Sequence, residues 1–181
     1  MNRRRHAGIL LTVTTIVATA ACTDRTPENT PVSSRPAREK PVQTRTVADA
    51  TTQADNSVNQ VAAALGNRLD GWKTTTVPCS GTTGTDRPDR AWQLQGAANI
   101  AVDAGDQLSA LQRLTHDWQQ RGWQITDQQT FADDTRGTVS ALDPATGTSV
   151  TVTTTKDLGR VAVVLASTCY LPAPGEDPAN R

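Results

Sequence analysis

The stretch Arg160-Val161-Ala162-Val163-Val164-Leu165-Ala166-Ser167-Thr168-Cys169 (RVAVVLASTC) carries a strong strand signature. Val161, Val163, Leu165, Ser167 and Cys169 alternate onto one face, as a period of two requires, and Val164 points to partial burial of the other. A strand with so apolar a face needs a sheet around it and a layer to cover it.

Working outward, Asp157-Leu158-Gly159 turns the chain into this strand. Before it, Gly137–Leu142 and Thr148–Thr155 flank Asp143-Pro144-Ala145-Thr146-Gly147, a turn-rich hairpin connection. Trp123–Gln129 reads as a further short strand. In Ala91–Ile100, Trp92, Leu94, Gly96, Ala98 and Ile100 alternate with Gln93, Gln95 and Asn99, which predicts a half-buried strand.

The covering layer comes from two helical patterns. Asp106 is a fitting N-cap for a helix whose face is Leu108, Leu111, Leu114, Thr115 and Trp118, closed by Gly122. Val58, Val61, Ala62, Leu65 and Leu69 follow i, i+3, i+4 spacing, so Thr51–Asp70 is predicted helical, with Gly71 ending it and Trp72 as an apolar anchor. Pro78–Arg90, with Gly81, Gly84 and Pro88, reads as a loop. The expected fold is therefore α+β: an antiparallel sheet of about four to five strands, two helices packed on one face, in the order α-β-α-β-β-β-β.

The first part of the chain has another character. Arg3, Arg4 and Arg5 precede the apolar run Ile9–Ala20, the layout of a signal peptide and too short for a permanent membrane span. Ala18-Thr19-Ala20 would suit ordinary cleavage and release. Thr19-Ala20-Ala21-Cys22 instead resembles the lipobox of bacterial lipoproteins, in which the Cys becomes the acylated first residue. Thr19 stands where that motif prefers Leu. Pro27, Pro31, Pro36 and Pro41 then space a polar segment with almost no large apolar residue, the composition of a disordered tether.

The cysteine count favours acylation. Of three Cys in the 181 residues, Cys79 and Cys169 both lie in the domain and can pair in an oxidising compartment, which leaves Cys22 for the lipid. The expected organisation is a lipoprotein-type signal peptide over 1–21, lipidated Cys22 and tether over 22–46, one α+β domain over 47–171, and a flexible tail over 172–181. The location that follows is the outer face of the cell membrane, reached through the lipid on Cys22.

This plan (export signal, acylated Cys22, polar tether, helix closing at Gly71-Trp72, Cys79, strand, helix, hairpin and a last strand with Cys169) resembles the LppA-type small lipoproteins of actinobacteria. A composition favouring Arg over Lys and Asp over Glu suits a high-GC genome of that kind. The resemblance implies an envelope-anchored domain on a two-cysteine framework. That family has no established activity, so it brings no catalytic residues with it.

Charge and motifs narrow the function further. Lys and Arg equal Asp and Glu at 18 each, but Arg3–Arg5 lie in the leader, so the rest is mildly acidic. A mildly acidic domain without a basic stripe excludes nucleic acid as a partner. His116 falls on the solvent side of its helix, away from any nucleophile. Asp133-Asp134 and Asp86-Arg87-Pro88-Asp89 lack the spacing of a calcium loop. No phosphate-binding glycine loop or nucleophile elbow occurs, and neither metal nor cofactor is implied. Of the aromatics, Trp72, Trp92, Trp118 and Trp123 read as core anchors, or as one or two residues lining a groove. The expected function is a non-enzymatic envelope domain that binds another envelope protein or glycan. A carrier of an apolar ligand between helices and sheet is the second reading, and a hydrolase of envelope polymers the third.

Overall fold

The structure, a computed structural model, describes residues 42–79, 90–156 and 159–178. The signal segment, Cys22, the tether as far as Pro41, the stretch Asp86–Asp89 and the turn residues Asp157 and Leu158 lie outside the described residues.

Helix α1 (Val47–Ala64) starts at Thr46, whose Oγ1 accepts from the Asp49 N–H at 3.0 Å. This hydroxyl satisfies one of the orphan donors of the first turn. Val47, Ala50, Ala54, Val58, Val61 and Ala62 form the buried stripe. The helix ends at Gly66, not Gly71. Gly66 adopts φ +70° and its N–H reaches the Ala63 carbonyl, while the Asn67 N–H returns to Ala62. This left-handed glycine turn caps the helix, and the following residues are already free to extend.

Strand β1 (Gln43–Arg45) precedes α1, and β2 (Leu69–Pro78) follows it. β2 forms a hairpin with β3 (Trp92–Ala101), its register shifting between Asp70 and Lys73. Gly71, also at φ +70°, sits in that bulge, where positive φ is needed. Helix α2 (Gln107–Gln120) comes next, then a four-stranded meander. Its strands are β4 (Gln124–Thr130), β5 (Gly137–Asp143), β6 (Thr148–Thr154) and β7 (Arg160–Ala166), and β8 (Tyr170–Pro172) ends the series.

The expected sheet of four to five antiparallel strands, in the order α-β-α-β-β-β-β, does not form. The sheet has eight strands, is mixed, and curls into a half-barrel. The order runs β1-β8-β3-β7-β6-β5-β4, with β2 also on β3. All pairings are antiparallel except β1 with β8, and that pair makes the sheet mixed. Three strands account for the difference. β2 takes in the expected helix end (Leu69–Gly71), Trp72 and the stretch Lys73–Val77, to which no element was assigned, while β1 and β8 are three-residue strands formed only by long-range pairing.

The expected final strand Arg160–Cys169 is interrupted. β7 stops at Ala166, and β8 resumes at Tyr170 on the same neighbour, β3. Ser167 bridges the gap: its N–H donates to the Leu94 carbonyl at 2.8 Å, and its Oγ accepts from the Leu94 N–H at 2.9 Å. A buried side chain thus stands in for the missing ladder partner.

Both helices cover one core. α1 packs on β2, β3, β6 and β7, and α2 on β4, β5 and β6. Val58, Val61, Leu94, Ile100, Leu114, Val152 and Val163 meet there, all fully buried. The side chains alternate by strand parity: Leu165 is buried, whereas Val164 is 50% exposed on the outer face. Trp118 stacks on Trp123 just beyond the end of α2, with centroids 5.6 Å apart.

Cys79 and Cys169 form a disulfide, with Cα atoms 6.1 Å apart and a sequence separation of 90. It straddles the start of β3, since Trp92 pairs with both Pro78 and Tyr170, and each of these adjoins a bridged cysteine. A closed loop of this length stabilises by about 4–5 kcal/mol in the chain-entropy treatment. Reduction is therefore expected to lower the melting temperature by about 10–20 °C in differential scanning calorimetry. An unchanged transition in reductant would show that the bridge contributes nothing to stability.

Candidate functional site

Of the four Trp residues that could line a groove, three are committed elsewhere. Trp118 and Trp123 form the stacked pair against the core, at 1% and 9% exposure. Trp72, half-buried, lies across Gly96 of β3 and donates its indole N–H to Asp55 Oδ1 of α1 at 2.8 Å. The groove reading narrows to Trp92.

Trp92 lines a pocket of about 170 Å³ at the disulfide end of the sheet. One side is the end of β2, Thr76 to Pro78, and the floor is Ala91 and Trp92. The opposite side is the C-terminal segment, with Pro172 and Pro178. Arg90, Glu176 and Asp177 add charged groups to the same lining, and Arg90 and Asp177 are exposed.

Local sequence builds this arrangement. Gly175 at φ +82° turns the chain after β8, and the Glu176 N–H bonds back to the Ala173 carbonyl at 3.0 Å. The turn brings the Glu176 carboxylate to the N–H of Val47, with both oxygens 3.2 Å away, at the positive end of α1. Two residues on, the Pro178 carbonyl accepts from Thr76 Oγ1. The segment expected to be a flexible tail is thus folded across the pocket as far as Pro178. The Pro174-Gly175 dipeptide is the sequence signal for that turn.

Tyr170 supports the floor from beside it. Its ring lies 5.4 Å from that of Trp92, and Arg45 of β1 sits 5.3 Å above its centroid. Arg45 also hydrogen-bonds Gln53 of α1, whose amide donates to Thr148 Oγ1 at 2.9 Å. These contacts fix β1, α1 and β8 around one aromatic pair.

The distinctive chemistry is at Trp92. Its ring is 3% exposed, and its indole Nε1–H is buried with no hydrogen-bond partner among the described residues. Indole nitrogen can only donate, so nothing but an acceptor satisfies it. A buried donor left unpaired costs about 1–3 kcal/mol, and native folds keep few of them.

The other candidates carry less. His116 is exposed on α2, its Nε2 2.9 Å from the amide nitrogen of Gln120. Asp133 is spent on its own turn: Oδ1 accepts from the Thr135 and Arg136 N–H groups at 3.1 Å, and Oδ2 from the Arg136 guanidinium. The Arg136 hydrogen bond leads the causes that hold this carboxyl below the ordinary aspartate value. Among the described residues no three His, Cys, Asp or Glu side chains gather as a metal site, and no helix is long and apolar enough to cross a membrane.

No known protein family, curated protein or solved structure matches this chain.

Proposed function

We propose that this protein is a non-enzymatic binding domain of the cell envelope. The lipid on Cys22 holds it to the outer face of the membrane, and the pocket around Trp92 engages another envelope protein or glycan. The observation that carries the reading is a small pocket bordered by Trp92, a residue whose buried indole N–H has no hydrogen-bond partner.

The cysteine pattern supports the address. The disulfide uses Cys79 and Cys169, which leaves Cys22 free for acylation in an exported chain. The interior argues against the carrier reading, because the helix–sheet interface is filled. Trp72 occupies the space over Gly96, and the residues facing it from both helices and from the sheet are fully buried.

Mass spectrometry of the mature N-terminus is expected to find acylated Cys22 as the first residue, with processing blocked by globomycin. A chain beginning at Ala21 with an unmodified thiol would remove the anchor.

Photo-crosslinking in whole cells addresses the pocket. A photoreactive residue at Asp177, exposed in the pocket lining, should give a discrete adduct with an envelope component, and one at Val164, on the outer sheet face, should not. Equal labelling from the two positions would contradict the site.

A further inference from the structure

The C-terminal wall of the pocket is also what seats the start of the domain. Pro172, Glu176, Asp177 and Pro178 line the pocket. The same segment carries β8, on which β1 lies in parallel, with Gln43 opposite Tyr170, Thr44 opposite Leu171 and Arg45 opposite Pro172. Arg45 sits over the Tyr170 ring, and the Glu176 carboxylate accepts from the Val47 N–H in the first turn of α1. Residues 43–47 and 170–178 therefore hold one another, although they come from opposite ends of the domain.

This clasp is set apart from the rest of the sheet. β1 has β8 as its strand neighbour, and β8 meets β3 at the single pair Tyr170–Trp92. β7, by contrast, is paired on both edges over residues 161–166. Between β7 and β8 lies Cys169, bridged to Cys79 next to the end of β2. The bridge pins the chain just ahead of residues 170–178, so this arm can leave while β7 stays in its ladder. Gln43, Thr44, Pro174, Gly175 and Asp177 are already exposed. Short pairings with exposed backbone open at a lower free energy than the core and do so as contiguous units.

From this arrangement we infer that β1 and the 170–178 arm form a latch on the pocket. Seated, they complete its C-terminal wall; released, they remove that wall and lengthen the free chain ahead of α1. Each segment is held by the other, so freeing one loosens both, and a coupling of this kind is reciprocal. A partner that presses the arm into place also seats β1, and a pull on the chain preceding Gln43 loosens the wall. The latch regulates the pocket of the binding-domain reading and rests on that reading for its use. Its opening is a property of the free protein and is measured with no partner present.

Amide hydrogen exchange of the full-length chain, disulfide intact and followed residue by residue by NMR, tests the latch. Amides of residues 43–46 and 170–177 should exchange through a common opening, about a hundredfold faster than those of β6 and β7. Glu176→Ala should speed exchange at Gln43 and Thr44, which Glu176 is not bonded to, by about tenfold, the scale of losing one hydrogen bond to a charged group. Arg45→Ala should do the same at Gly175 and Asp177. Neither change should alter β6 or β7.

An arm as protected as β7 in the native chain would overturn the latch, and that comparison decides even where a variant does not fold. Acceleration confined to the substituted segment would overturn it too, as would acceleration spread equally through β6 and β7. The crosslink at Asp177 judges the binding-domain reading separately.

Discussion

The contact on which the rest of the fold depends is Trp72 lying over Gly96. A Cβ at position 96 would stand 2.2 Å from the Trp72 ring, so only glycine leaves room for the indole there. With the ring in place, its N–H reaches Asp55 and ties α1 to the β2–β3 hairpin. β3 is then the shared strand of the molecule, flanked by β2 on one edge and by β7 and β8 on the other. The curl of the sheet around both helices follows from that shared strand, because each side of the half-barrel is built out from it.

At one end of β3 the order changes from ladder to site. The β7 ladder breaks at Ser167, the disulfide closes over Ala91, and the chain returns along β8 and folds down to Pro178. This end borders a small pocket, whereas the middle of the sheet encloses a close-packed core. Leu94, Ala98 and Ile100 face the core along this strand, and Trp92, itself a core residue, also borders the pocket.

How much of this the sequence reveals depends on how local each feature is. The alternation of Ala91–Ile100 and of Gly137–Ala166 is visible in the chain because side chains on a half-buried strand must obey a period of two. The stripe of α2 is legible for the corresponding reason at 3.6 residues per turn. The first helix was misplaced because Gly66 and Gly71 both offer a left-handed stop, and apolar spacing through Leu69 favoured the later one. The β-branched run Thr74-Thr75-Thr76-Val77 was the available signal for β2. β1 and β8 have no local signal at all, since three residues cannot display a period. The pocket is hidden for the same reason. Its C-terminal wall looks like a proline-rich end, and the bonds that hold it join residues 129 and 102 positions apart. Only the pairing of Cys79 with Cys169 in that region follows from residue counts.

A double-mutant cycle at Trp72 and Gly96 tests the central constraint most directly, with stability read from urea denaturation. Gly96→Val in the native background should cost about 1–3 kcal/mol through overpacking against the ring. In a Trp72→Leu background the same change should cost little or stabilise, because valine suits a strand and the space is then open. An equal cost in both backgrounds would contradict the placement of Trp72 over Gly96, and with it the joining of α1 to the sheet.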